Sequence, residues 1–69
     1  MNRKISTYYA DPPGRGHCDV IMDLKEEVVY IDYFDDRGKK FFSEDFPNKS
    51  VRYVEDAAEN WALGIKILD

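Results

Sequence analysis

Residues 50–65 read SVRYVEDAAENWALGI, and their spacing predicts an amphipathic helix. Val54, Ala58, Trp61 and Ile65 recur at i, i+4, i+7 and i+11, one apolar stripe at the helical period. Val51, Ala57 and Ala62 flank it. Ser50 is one candidate N-cap, because its hydroxyl can accept an orphan N–H of the first turn, and a start nearer Tyr53 is the alternative. Gly64 is a natural stop, suited to the left-handed residue that follows many helices. Such a stripe must cover something, so the fold is decided by what the preceding residues offer it.

They offer a sheet. In CDVIMDL, residues 18–24, Cys18, Val20, Met22 and Leu24 share one face, and Asp19, Ile21 and Asp23 share the other. Alternation with carboxylates on one side describes a half-buried strand. After the polar turn Lys25-Glu26-Glu27 comes VVYIDYF, residues 28–34, β-branched and aromatic. Val29, Ile31 and Tyr33 form its core face, with Val28, Tyr30, Asp32 and Phe34 opposite. Asp35-Asp36-Arg37-Gly38 is a hairpin loop with a glycine available for positive φ. A further strand runs from Lys39 to Phe46 and is broken by Pro47-Asn48-Lys49. Before these, Ile5 to Tyr9 is β-prone, and DPPGRG (residues 11–16) is the strongest breaker cluster. Proline cannot donate ladder bonds, so this first run is an edge strand or an ordered arm. The tail IKILD (residues 65–69) alternates and can return to the sheet as a last short strand.

The expected fold is therefore α+β: an antiparallel meander of three to four strands with one C-terminal helix on one face, all within residues 1–69. Its core should contain Val20, Met22, Leu24, Val29, Ile31, Val54, Ala58, Trp61 and Ile65. A chain of 69 residues is one small domain. Cores of this size rarely supply more than about 3–5 kcal/mol. Cys18 is the only cysteine, so no intrachain disulfide can help. One cysteine and one histidine, His17, do not make a zinc site. A homodimer or a bound partner is the remaining support.

The first residues, MNRKISTYYADPP, lack the apolar core of a signal peptide. No apolar run reaches the roughly 18 residues of a membrane span. A cytoplasmic protein is expected, without membrane association. The formal net charge of −4 disfavours nucleic-acid binding, which needs a basic stripe. Much of the excess lies near the C-terminus, where Lys66 stands alone against Glu55, Asp56, Glu59 and Asp69.

Two surfaces carry information beyond folding. On the helix, Glu55 and Glu59 are spaced i, i+4 with Asp56 beside them. Their mutual repulsion is partly offset by the positive end of the helix dipole. This is either a solvated face or a docking face for a basic partner. On the sheet, Ile21, Tyr30 and Phe34 place apolar and aromatic groups on the face opposite the helix, and exposed patches of that kind mark contact sites. Asp23 and Asp32 share this face and could approach one another. Paired carboxylates can serve acid–base chemistry or a divalent cation, but they need a cleft that so small a two-layer domain rarely forms. His17 and Cys18 are adjacent on a strand and point to opposite faces, so they do not form a nucleophile–base pair; Cys18 reads as a buried structural thiol. The PPGRG loop could cradle a phosphate through Arg15, but no helix follows it directly, and it reads as a connector. Trp61 belongs to the core. No catalytic residue, cofactor or metal is implied.

The run KSVRYVEDAAENWALGIK, Lys49 to Lys66, resembles the C-terminal end of small accessory proteins from tailed phages, particularly those of marine cyanobacteria. These share an aromatic–acidic–alanine–Trp–Gly helix after a short β segment. The motif carries no chemistry, so it transfers no functional residue. The resemblance implies an accessory protein acting in the cytoplasm of an infected host, where such proteins bind host machinery. Together these readings favour a non-enzymatic protein-interaction module whose partner is another protein or itself. Its contact residues would come from Ile21, Tyr30, Phe34, Glu55, Asp56 and Glu59. An acidic mimic of nucleic acid that blocks a basic site, or a structural homo-oligomer without separate activity, are the alternatives.

Overall fold

The alternation in the first half of the chain becomes a meander of four antiparallel strands. β1 (Asn2–Tyr9), β2 (His17–Asp23), β3 (Val28–Phe34) and β4 (Lys40–Phe46) lie side by side in chain order. The computed structural model describes residues 2–11 and 13–66. α1 (Val51–Ala62) crosses one face of the sheet, packing mainly on β1, β2 and β3. This is the α+β meander expected, with β1 as an edge strand.

Each connection is set by local chemistry. At the β2–β3 turn the Asp23 carboxylate accepts the Lys25 and Glu26 N–H groups, and Glu27 takes φ +57°. At the β3–β4 loop the Asp35 carboxylate accepts the N–H groups of Arg37 and Lys39, both at 2.9 Å, while Gly38 supplies φ +82°. The hydrogen bonds from Lys39 and then Arg37 hold the Asp35 carboxyl below its ordinary pKa. At the β1–β2 loop Gly16 has φ +98°, and a Cβ there would overlap the Phe34 carbonyl oxygen. Only glycine lets the loop pass so close to β3.

The helix begins at Val51, at the Ser50 cap, not at the alternative start nearer Tyr53. The Ser50 hydroxyl accepts the Tyr53 N–H at 3.1 Å. It ends in a Schellman arrangement: Gly64 N–H donates to the Trp61 carbonyl, Ile65 N–H donates to Asn60, and Gly64 has φ +83°. This stop removes Ile65 from the apolar stripe. The stripe was projected to i+11, but the helix closes at Ala62, and Ile65 is 68% exposed. Leu24 is also exposed, because β2 ends at Asp23 and Leu24 belongs to the turn. Neither is part of the core. Val20, Val29, Ile31, Val54, Ala58 and Trp61 are buried as expected, with Met22 half-buried against them. Cys18, Tyr33, Ala10 and Ala62 complete the buried set. Ile65 and Lys66 form no strand, and residues 67–69 of the tail lie outside the described residues.

Tyr33 is the centre of the core. Its ring meets Trp61 edge-on at 5.1 Å between centroids, and its hydroxyl donates to the Glu44 carboxylate at 3.1 Å. Burial first, and then the Glu44 charge, raise its pKa far above the ordinary phenol value. Beside it, burial pushes the Cys18 thiol up to about 12. Cys18 is fully buried, with its Sγ 3.8 Å from the Ala58 carbonyl, as a structural thiol should be.

Candidate functional site: the outer face of the sheet

The period-two geometry of the strands sends alternate residues away from the helix. The strand register then assembles a row across all four strands: Thr7, Asp19, Asp32 and Ser43 stand opposite one another in sequence. Asp19 and Asp32 are direct cross-strand partners. The carboxylate that faces Asp32 is therefore Asp19. The expected approach of Asp23 is corrected by the register, which pairs Asp23 with Val28 and commits its side chain to the β2–β3 turn.

Opposed like charges in a sheet are destabilising, and the row contains its own compensation. The Thr7 hydroxyl donates to Asp19 at 2.7 Å, and the Ser43 hydroxyl donates to Asp32 at 2.7 Å. Lys4 lies 3.6 Å from the second Asp19 oxygen, and Lys40 lies 4.0 Å from that of Asp32. The result is a near-symmetric polar band with a hydroxyl and an ammonium on each flank. Although no helix covers them, Asp19 and Asp32 are only 7% and 9% exposed. Every buried side-chain N or O atom among the described residues has a hydrogen-bond partner.

The band divides the expected apolar patch. On one side His17 and Phe34 are cross-strand partners, stacked at 4.7 Å with planes 8° apart, and Tyr9 leans on His17 at 5.6 Å. On the other side Ile21 pairs with Tyr30, whose hydroxyl accepts from the Asn2 amide at 2.8 Å. Burial and then the Asp32 charge raise the Tyr30 pKa, so the phenol remains a neutral hydroxyl at physiological pH. Next to Tyr30 is an open concavity of about 390 Å³, rimmed by Asp23, Glu26, Asp32 and Asp45, with Lys40 at its side. Ile21, Tyr30 and Phe34 thus share one face but not one cluster.

The acidic helix residues are divided as well. Asp56 and Glu59 are exposed, while Glu55 leans towards the sheet and accepts the Ser6 hydroxyl at 3.0 Å. Burial first raises the Tyr8 pKa, and the Glu55 and Glu59 charges also contribute to that rise.

Arg15 has a role that composition could not suggest. Its Nη2 donates to the carbonyls of Ala62 at 2.7 Å and Trp61 at 3.0 Å, and its guanidinium lies 5.1 Å from the Trp61 ring centre. Asp11 N–H also donates to the Ala62 carbonyl. The glycine-rich loop is thus a cap for the helix C-terminus, supplying donors to the Ala62 carbonyl and a second donor to the Trp61 carbonyl, which already accepts the Gly64 N–H.

Among the described residues no three or more His, Cys, Asp or Glu side chains converge as a metal site, and no helix is long and apolar enough to cross a membrane. Compared with family models, curated proteins and solved structures, the chain matches none significantly.

Proposed function

We propose that this chain is a non-enzymatic protein-interaction module that docks its partner on the outer face of the sheet. The observation that supports this reading is the organisation of that face. It carries no covering element among the described residues, yet it is built: a stacked His17–Phe34 pair with Tyr9 tilted against it, a desolvated carboxylate band and an acidic concavity beside Tyr30. Aromatic groups beside a recess are what interfaces use as anchors. The acidic rim suits a partner that inserts a lysine or arginine, whose aliphatic stem can lie against Tyr30. The resemblance of Lys49 to Lys66 to phage accessory proteins fits a role exerted through contact with a host protein.

A nucleic-acid mimic needs open, unneutralised carboxylates in series. Glu55 is tied to Ser6, and both Asp19 and Asp32 have a lysine beside them, so that reading has less support.

Site-specific photo-crosslinking tests the proposal. A photoreactive residue at Ile21 or Tyr30 should capture a defined partner, whereas one at Asp56 on the helix should not. Capture only from Asp56, or from none of these positions, would count against the outer face.

A further inference from the structure

The four-stranded sheet has two edges, and their charge patterns differ. β1 carries Arg3 and Lys4 near one end and no acidic residue. β4 reads KFFSEDF, with Lys40 at its start and Glu44 and Asp45 towards its end. A strand that is basic at one end and acidic at the other is complementary to its own reverse. We infer that β4 is the self-association edge of this protein, pairing antiparallel with β4 of a second copy about a two-fold axis at Ser43.

The register follows from the bulge. Pairing with β3 slips between Tyr33 and Phe34, so that Tyr33 opposes Phe42 and Phe34 opposes Lys40; Phe41 is the extra residue. The bulge places Lys40, Ser43 and Asp45 on the outer face of the sheet and Phe42, Glu44 and Phe46 on the helix side. Two copies meeting with Ser43 opposite Ser43 put Phe42 opposite Glu44 and, across the bulge, Lys40 opposite Asp45. Every opposed pair then lies on the same face, as an antiparallel ladder requires. The Lys40–Asp45 contact occurs twice by symmetry, which is the signature of an isologous, closed interface.

The apolar surface lies in the same place. Phe41 and Phe42 are 52% and 38% exposed although both rings lie against Tyr33, at 6.3 and 5.8 Å. The helix packs mainly on β1, β2 and β3 and meets β4 at its far end, where Phe46 lies 6.2 Å from the Tyr53 ring and Glu44 lies 3.7 Å from Lys66; Phe41 and Phe42, nearer the start of the strand, stay exposed. Phe42 would reach the partner's Phe42 and Phe46 on the diagonals of the ladder. Lysines and bulges on a sheet edge discourage indiscriminate pairing; the acidic half of β4 makes one pairing the exception. The same logic excludes β1, where self-pairing brings no acid to Arg3 and Lys4. This inference deepens the interaction-module reading by naming a second copy as one partner; because Lys40 and Asp45 also line the outer-face concavity, the two readings are separated by Ile21→Ser, which leaves β4 unchanged.

Sedimentation equilibrium on charge variants tests it. Wild type should form a dimer and no larger species. Lys40→Glu alone and Asp45→Lys alone should each weaken the dimer by about tenfold or more, because both symmetry-related pairs become repulsive. The double variant should regain wild-type association, and so should an equimolar mixture of the two single variants, whose opposed charges are again complementary. Recovery in the mixture also proves that both single variants are folded. Ile21→Ser, on the outer face away from β4, should leave the dimer intact while impairing capture of the outer-face partner. A monomeric wild type at millimolar concentration, open-ended growth beyond a dimer, no recovery in the mixture, or loss of the dimer in Ile21→Ser would each overturn the β4 assignment, and none of these would by itself remove the outer-face reading.

Discussion

Two rows of side chains, one residue apart on every strand, divide this protein into its two chemistries. Tyr8, Cys18, Tyr33 and Phe42 run across the helix side of the sheet; Thr7, Asp19, Asp32 and Ser43 run across the other. In each row the residues on the two central strands are buried, but by different means. Cys18 and Tyr33 are covered by the helix, with Trp61 against Tyr33 and Ala58 beside Cys18. Asp19 and Asp32 have no helix over them and are enclosed by their neighbours' hydroxyl and ammonium groups. The inner row stabilises the fold through apolar area and dispersion. The outer row spends part of that stability on two opposed carboxylates. Retention of this cost on an open face is the observation that supports the interaction proposal there.

Breaking the inner row should have the largest effect. Trp61→Ala removes the ring that closes over Tyr33 and should cost about 3–5 kcal/mol. That is comparable to the whole stability expected of a core this size, about 3–5 kcal/mol. Far-UV circular dichroism and urea titration should find the variant largely unfolded in buffer.

Changing the outer row should be milder and should have two signs. Asp32→Ala leaves the Ser43 hydroxyl without its acceptor and should cost about 1 kcal/mol. Asp32→Asn keeps an oxygen for Ser43, removes the like-charge opposition to Asp19, and gives up only a long contact with the exposed Lys40. It should raise stability by about 0.5 kcal/mol. Urea midpoints of the two variants on opposite sides of wild type would establish that the carboxylate pair is retained against stability; both falling below it would show the row to be structural.

The smallest effect at neutral pH should come from the inner thiol, which is silent there and appears only in alkali. The Cys18 pKa is raised from its ordinary 9.0 to about 12. The folded chain therefore holds this proton more tightly than the unfolded one. Its contribution is fully present below pH 9 and is lost as the pH rises towards 12. Thermal unfolding followed from pH 8 to 11 should show a falling midpoint in wild type and a shallower fall in Cys18→Ala, with Tyr33 accounting for part of the remainder.

Much of the inner row was legible in the sequence, because period-two and period-3.6 patterns report which residues share a face. The limits were those of local pattern. Ile65 fitted the stripe, but Gly64 ended the helix before it. Leu24 fitted the alternation, but the strand had already given way to a turn. The outer row was less legible. Its members were assigned to a face, but which carboxylate opposes Asp32 depends on pairing register, and that is fixed by both strands and the turn between them. An approach of Asp23 to Asp32 is a fair reading of the alternation, because nothing local shows that the Asp23 carboxylate is committed to the β2–β3 turn. Glu55 was placed on an exposed face because helical spacing does not show that Ser6 of β1 reaches it. Arg15 reads in sequence only as a weak phosphate-loop candidate, and its capping role carries no local signal, since its partners are backbone carbonyls 46 and 47 residues away.

That last contact governs how the molecule comes apart. Arg15 joining Trp61 closes a loop 46 residues long, around β2, β3, β4 and most of the helix. Closing a loop of that length costs roughly 3 kcal/mol of chain entropy, which takes up much of what the two guanidinium hydrogen bonds return, about 1.5–3 kcal/mol each. The clasp therefore adds little by itself and is strong only while the layers it encircles are already in register. Once the loop lifts, the Ala62 carbonyl loses both the Arg15 and the Asp11 donors, and Trp61 loses the guanidinium against its ring. Opening at the first loop and fraying at the end of the helix are thus a single cooperative event, and amide exchange in the two places should proceed at a common rate.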